Sequence, residues 1–134
     1  MNVVRTGYAL RVHADFVDIL EAVIAANATV PAEDGLCLHF RDPDYGPERG
    51  GFHPVEIALG ADGKLVYVTD FAYVGQVPFA ELAKELDFDF GAGVFEAMGR
   101  VFALEQGDEL FQVWQQNFCA YYRSGVYVVE VSRL

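Results

Sequence analysis

The chain has 134 residues, 53% of them hydrophobic, with twenty acids against nine bases and a formal net charge of −11. That size buries a core without disulfides or metal, and that apolar fraction excludes a disordered chain. The negative charge repels phosphates. The bases Arg41, Arg49, Lys64, Lys84, Arg100 and Arg123 stand singly rather than in a stripe, so neither nucleic acid nor a membrane surface is expected as a partner.

The opening stretch "MNVVRTGYALRVHADF" has no apolar signal core and no small-residue cleavage site, and no apolar run reaches about 18 residues, the length a spanning helix needs. A soluble, cytoplasmic protein is expected. Phe16, Ile19, Leu20, Val23 and Ile24 recur at helical spacing and predict a first helix over residues 15–27, capped by Asp15 and closed by Asn27 and Pro31. "LCLHFR" alternates Leu36, Leu38 and Phe40 against Cys37, His39 and Arg41, the pattern of a half-buried strand. "HPVEIALG" and "LVYVTDFAYV", joined by the Asp-Gly turn of "ADGK", predict a β-hairpin over residues 53–73.

Residues 78–84 read as a short helical turn, because Pro78 suits a first helical position. "ELDFDF" then alternates, with Leu86, Phe88 and Phe90 inward and Glu85, Asp87 and Asp89 outward. The three acids share a face and read as a solvated guard of a strand edge, ahead of an oxygen-ligand cation site. A further strand is predicted over residues 94–98, bracketed by glycines. The last helix lies in "DELFQVWQQNFCAYYRSG", with Asp108 as cap, Gly125 as left-handed stop and a wide apolar face: Leu110, Trp114, Phe118 and Tyr121 on one stripe, widened by Phe111, Cys119 and Tyr122. "VYVVEVS" closes the chain as a strand. Helix, strands, helix and strand without βαβ repeats predict one α+β domain over residues 1–134. Its sheet is mainly antiparallel or mixed, covered by two amphipathic helices.

Polar chemistry concentrates in "FRDPDYGPERGGFHPVEI", residues 40–57. His53, Asp70 and Glu56 are the candidate catalytic residues, and Arg41, Arg49, Asp42 and Tyr45 the candidate ligand-binding residues. Asp70 interrupts a run otherwise suited to a central strand, where a carboxylate needs a partner; it reads as a partner for Arg41 or Arg49 or as a bulge at a strand end, ahead of a general base or ligand facing a cleft. The loop itself reads as clamped by its own ion pairs. His53 and Glu56, three apart on a strand, point to opposite faces and make no ready metal pair. A grouping of His39, His53 and Asp70 is the one mononuclear metal arrangement to weigh, and no metal or cofactor is assigned. Cys37 and Cys119 form no CxxC pair and read as packed free thiols. "GAGVFEAMG" lacks the Lys-Ser/Thr of a phosphate loop, and no GxSxG elbow exists.

"FRDPDYGPERGGFHPVEIAL", "YVTDFAYVG", "ELAKELDFDF" and "LFQVWQQNFCAYYRSGVYVVEV" together resemble a bacterial family catalogued as a domain of unknown function, with GG(F/Y)HPVEI, ITDF-like, ELAKE(L/I)D and WQxNFCxY segments. The resemblance implies a small single-domain bacterial protein without an assigned activity, and it supplies no catalytic residues. The leading expectation is a binding or protein-interaction module that uses surplus apolar surface to self-associate or grip a protein partner. The alternative is a hydrolase or small-molecule site on the hairpin side, built from His53, Asp70 and Glu56 with Arg49 as an anion clamp.

Overall fold

The computed structural model describes all 134 residues. Helix α1 (Ala14–Ala26) leads into a seven-stranded sheet: β1 (Leu36–Arg41), β2 (Val55–Leu59), β3 (Leu65–Val74), β4 (Glu81–Asp89), β5 (Val94–Ala97) and β6 (Arg100–Ala103) follow in chain order. A 3-10 turn (Leu104–Gly107) feeds helix α2 (Asp108–Arg123), and β7 (Val128–Arg133) returns to the far edge. The spatial order is β6-β5-β4-β3-β2-β1-β7, and every neighbouring pair is antiparallel. The expected α+β architecture is therefore present as a meander closed by one long return.

Both helices lie on one face. Leu36, Leu38 and Phe40 of β1, Val55, Ile57 and Leu59 of β2, Val68 of β3 and Phe88 of β4 are buried there. Phe16 of α1 meets Phe111, Trp114 and Phe118 of α2 edge-on at 5.6–6.4 Å. Phe40 and Phe88 rise from the sheet to meet Phe118 at 4.9 Å and Phe111 at 4.7 Å. Such aromatic pairs add about 0.5–1.5 kcal/mol each beyond area burial, so the helix–sheet seam is held largely by rings. Gln115 is fully buried in this seam and ties α2 to the segment before α1: its oxygen accepts the His13 N–H at 2.8 Å and its nitrogen donates to the Arg11 carbonyl at 3.1 Å. The opposite face carries Cys37, His39, Glu56, Tyr67 and Thr69, and no helix covers it.

Several local expectations change. Residues 78–84 are not helical: β4 begins at Glu81, and Leu82, Ala83 and Lys84 pair with Tyr73, Ala72 and Phe71. Ten-residue β3 offers a long edge to pair with, and that pairing outweighs the helical cue of Pro78, which sits in the connecting loop after a cis bond. Asp15 does not cap α1, nor Asp108 α2. The caps are His13 and Gly107, neither with a side-chain cap bond, and both acids lie in first turns where they face the positive dipole end. Gly125 does stop α2, at φ +76°. Strand β6 has no counterpart in the sequence reading; its hairpin turns through Met98 and Gly99, both at positive φ, without the Asn-Gly or Asp-Gly cue of such turns.

Candidate functional site

The polar loop between β1 and β2 is held from inside by Asp42. Its side chain is buried, accepting the Asp44 N–H at 2.9 Å and the Phe52 N–H at 3.0 Å. The expected ion-pair clamp is absent: neither Arg41 nor Arg49 forms a salt bridge. Backbone amides satisfy the carboxylate instead, which fixes the loop without ordering two long side chains. Gly51, at φ +126°, lets the chain pass within reach of Asp42; a Cβ there would lie 2.9 Å from Asp42 Oδ2. Tyr45 then pins the loop to β3 by accepting the Tyr73 N–H at 3.0 Å, with its ring against Tyr73 and His53. Asp42 and Tyr45 thus shape the loop from within.

The loop delivers His53 to Asp70. His53 Nδ1 lies 2.8 Å from Asp70 Oδ1 and 2.8 Å from Glu85 Oε2. Asp70 Oδ2 accepts the Trp114 indole N–H at 2.9 Å. The partners of Asp70 are therefore a histidine and a tryptophan, not the arginines expected. The strand-interrupting acid is a keystone tying the loop, the sheet and α2 together. Glu85 reaches the same imidazole because the β3–β4 register shifts between Asp70 and Phe71, leaving Glu85 as the extra residue of a bulge. A bulge re-aims a side chain, and no alternation pattern exposes it.

Glu85, Asp87 and Asp89 consequently do not share a solvated face. Glu85 turns to His53. Asp87 is buried, accepting the Thr69 hydroxyl at 2.8 Å with Lys84 Nζ 3.5 Å away, and Asp89 accepts the Ala92 N–H at 2.8 Å.

Around His53 and Asp70 opens a cleft of about 290 Å³, walled by Phe52, Trp114, Asn117, Tyr121 and Tyr127. Tyr121 is half on the surface rather than in the core, and Phe52 packs on it at 4.6 Å. Burial and the nearby Asp70 push the Tyr127 hydroxyl upward, so it stays protonated and able to donate. With Nδ1 held by two carboxylates, Nε2 is the nitrogen of His53 left without a protein partner. The cleft offers an aromatic wall, acids behind it and one imidazole nitrogen.

The remaining candidates lie elsewhere. Glu56 sits on the uncovered sheet face, 3.0 Å from His39 Nε2. Arg41 lines a groove on that face with His39 and Glu56, and the Arg49 side chain lies over Gly46. His39 belongs with Glu56 rather than with His53 and Asp70, so the His39–His53–Asp70 grouping does not form. Glu85 and Trp114 are the site residues that sequence reasoning placed in other roles. Exposed apolar side chains stand on two hairpin tips, at Val74, Val77, Phe79 and Leu82 and at Met98 and Val101, and also on α2 at Leu110 and Val113 and on β7 at Val128.

The model of a family described as a protein of unknown function (DUF2787) matches residues 14–132. The chain belongs to this family. Two solved structures share the DUF2787 fold seen here. One is the hypothetical protein VC0508 from the Vibrio cholerae VSP-II pathogenicity island, 32% identical, with a TM-score of 0.83 over 96% of this chain and 99% of that one. The other is the conserved hypothetical protein VC1805 from pathogenicity island VPI-2 of Vibrio cholerae O1 biovar eltor, 34% identical, with a TM-score of 0.81 over 95% of this chain and 98% of that one. The latter is described as sharing structural homology with the human P32 protein. No curated protein matches this DUF2787 chain. No helix is long and apolar enough to cross a membrane.

Proposed function

We propose that the chain is a binding domain whose cleft beside Asp70 receives a compact cation: an alkylammonium or guanidinium group, as a free small molecule or as the end of a basic side chain of a protein partner. The observation that carries this reading is the meeting of His53, Asp70 and Trp114 at the wall of an aromatic cleft. A cation over such rings gains about 0.5–2 kcal/mol from their faces. Asp70, Glu85 and a net charge of −11 add a favourable field. A cleft of about 290 Å³ suits one such group rather than a large ligand.

Trp114 is the sole tryptophan and lines the cleft, so its emission reports occupancy directly. Titration with n-butylguanidine, arginine and choline is expected to shift that emission with dissociation constants of roughly 1 mM to 1 μM. Binding weakens as salt rises and falls in Asp70→Asn and Tyr121→Ala. Acetate or uncharged butylurea binding as well as the cations would remove the proposal.

A second reading, hydrolysis, has one observation in its favour: an imidazole with a carboxylate on Nδ1 and a free Nε2 is the arrangement of a general base. Glu56 and Arg49, its other expected parts, do not reach this cleft. Water would have to serve as nucleophile, and a pH-dependent ester hydrolysis lost in His53→Ala is the result that would favour this reading over simple binding.

A further inference from the structure

We infer that Cys37, His39 and Glu56 form a binding site for a divalent transition metal of the zinc class, separate from the cleft beside Asp70 and on the opposite face of the sheet. Cys37 and His39 are two apart on β1 and therefore share a face, while Glu56 on β2 stands directly across from His39 in the register. Cys37 Sγ lies 3.1 Å from Glu56 Oε1 and 3.5 Å from His39 Nε2, and His39 Nε2 lies 3.0 Å from the same Glu56 oxygen. Tetrahedral zinc with bonds of roughly 2.0–2.3 Å holds its ligand atoms roughly 3.3–3.6 Å apart. The three donors need to spread by only a few tenths of an ångström.

The donor set selects the metal. One thiolate, one imidazole and one carboxylate suit zinc, cobalt or nickel and are poor ligands for magnesium or calcium, which take oxygen. The ligands come from two central, hydrogen-bonded strands, β1 and β2, whose pairing fixes their spacing before any metal arrives. Tyr67 places its hydroxyl 4.0 Å from the sulfur, where it can bond to a bound thiolate. Three protein ligands leave a fourth position open, and two of the three, His39 and Glu56, line a groove of about 370 Å³ with Arg41, Phe71 and Glu130. That is the pattern of a zinc site with a water or ligand position kept open.

Without metal the thiol keeps its proton. Burial, then the adjoining Glu56, push it up to about 12. Metal replaces that proton: the sulfur–hydrogen bond is exchanged for a sulfur–metal bond and one proton passes to solvent.

The test is titration of the full chain with Co(II) and Zn(II), starting from protein stripped of metal. One equivalent of Co(II) is expected to give visible d–d bands of tetrahedral intensity and a near-ultraviolet thiolate charge-transfer band, reversed by Zn(II). Calorimetry in buffers of different ionisation enthalpy is expected to show about one proton released per metal. Cys37→Ala and His39→Ala should abolish the spectrum, and Glu56→Gln should weaken binding by more than the roughly 10–100-fold lost on removing a mere outer partner. Cys119→Ser should change nothing, because Cys119 is buried away from this face. Circular dichroism of each metal-free variant confirms that it folds. A cobalt complex without the charge-transfer band, or one kept in Cys37→Ala and lost in His53→Ala, would overturn the assignment. The second outcome would move the metal to His53, Asp70 and Glu85.

Discussion

Asp70→Ala tests the keystone role most directly. The carboxylate side chain is 13% exposed and holds two donors, His53 Nδ1 at 2.8 Å and Trp114 Nε1 at 2.9 Å. The two losses differ in size. His53 is over a third exposed and keeps Glu85 as partner, so its loss is partly made up. Trp114 is 8% exposed and has no other acceptor, so its indole N–H is stranded. A stranded buried donor costs about 1–3 kcal/mol, and a hydrogen bond to a charged group contributes about 1.5–3 kcal/mol. Together with the small cavity left by truncation, Asp70→Ala is expected to destabilise by about 2–4 kcal/mol. Asp70→Asn keeps an oxygen for the indole and is expected to cost about 1 kcal/mol. Urea unfolding followed by circular dichroism measures both, and Trp114→Phe in each background closes a double-mutant cycle with a coupling of at least about 1 kcal/mol. If Asn and Ala lie within about 0.5 kcal/mol of one another, or the cycle shows no coupling, the indole bond does not hold the fold together as argued.

Three other outcomes follow from the same geometry. Gln115→Leu removes the acceptor of the His13 N–H, while the Arg11 carbonyl keeps Gln112 as donor, so urea unfolding should show a loss of about 1 kcal/mol despite the added hydrophobicity. Gly107→Ala puts a methyl 2.8 Å from Phe95, whose ring is stacked on Phe88 at 5.1 Å; an overpacking cost of about 1–3 kcal/mol should appear as a lower urea midpoint at unchanged slope. The Cys37 thiol is raised from 9.0 to about 12, so between those values the folded state holds a proton that the unfolded state has released; stability is full below about pH 9 and falls as pH rises toward 12. Tyr67 and Tyr127 are also pushed up by burial and act in the same sense, so the readout is the difference in alkaline slope between wild type and Cys37→Ala.

Much of the fold is readable from periodicity. Residues 36–41, 55–59 and 65–74 alternate as strands do, and the stripe through Trp114 and Phe118 marks α2, although Leu110 and Tyr121, read into the same stripe, are exposed and Phe111 is buried instead. What periodicity misses is decided by long-range pairing. Residues 81–84 become strand only because β3 is long enough to pair with them, and Glu85 meets His53 only because that pairing slips by one residue. The meeting of His53 with Asp70 could be posed from sequence, since both belong to one predicted hairpin. Its answer depended on whether the loop ends with His53 facing the helices. Asp42, buried and bonded to two backbone amides, sets that, and a charged residue beside Pro43 carries no pattern that distinguishes an internal clamp from an exposed ion pair.

The three-residue step from His53 to Glu56 separates two different kinds of chemistry. His53 belongs with Asp70 and Trp114 on the helix-covered side, and Glu56 with Cys37 and His39 on the uncovered side. Asp70 and Thr69 make the same division on β3, since Val55 stands opposite Asp70 and Glu56 opposite Thr69. Strands alternate strictly, so a one-residue slip of β2 against β1 and β3 would turn Glu56 to the helix-covered face and part it from His39, and would shift Val55 off Asp70. Two irregularities mark this part of the sheet, one between Ala58 and Leu59 in the β2–β3 pairing and one between Asp70 and Phe71 in the β3–β4 pairing. The regular β1–β2 pairing and the bulge at Glu85 set a thiol–imidazole–carboxylate cluster and an aromatic, acid-backed cleft on opposite faces of one sheet. A ligand on one face therefore meets a sheet whose spacing the other face also depends on. Because the β1–β2 pairing already fixes the spacing, metal added at the Cys37 cluster is expected to leave the Trp114 emission unchanged, and a shift in that emission would refute the claim that the strands are set in advance.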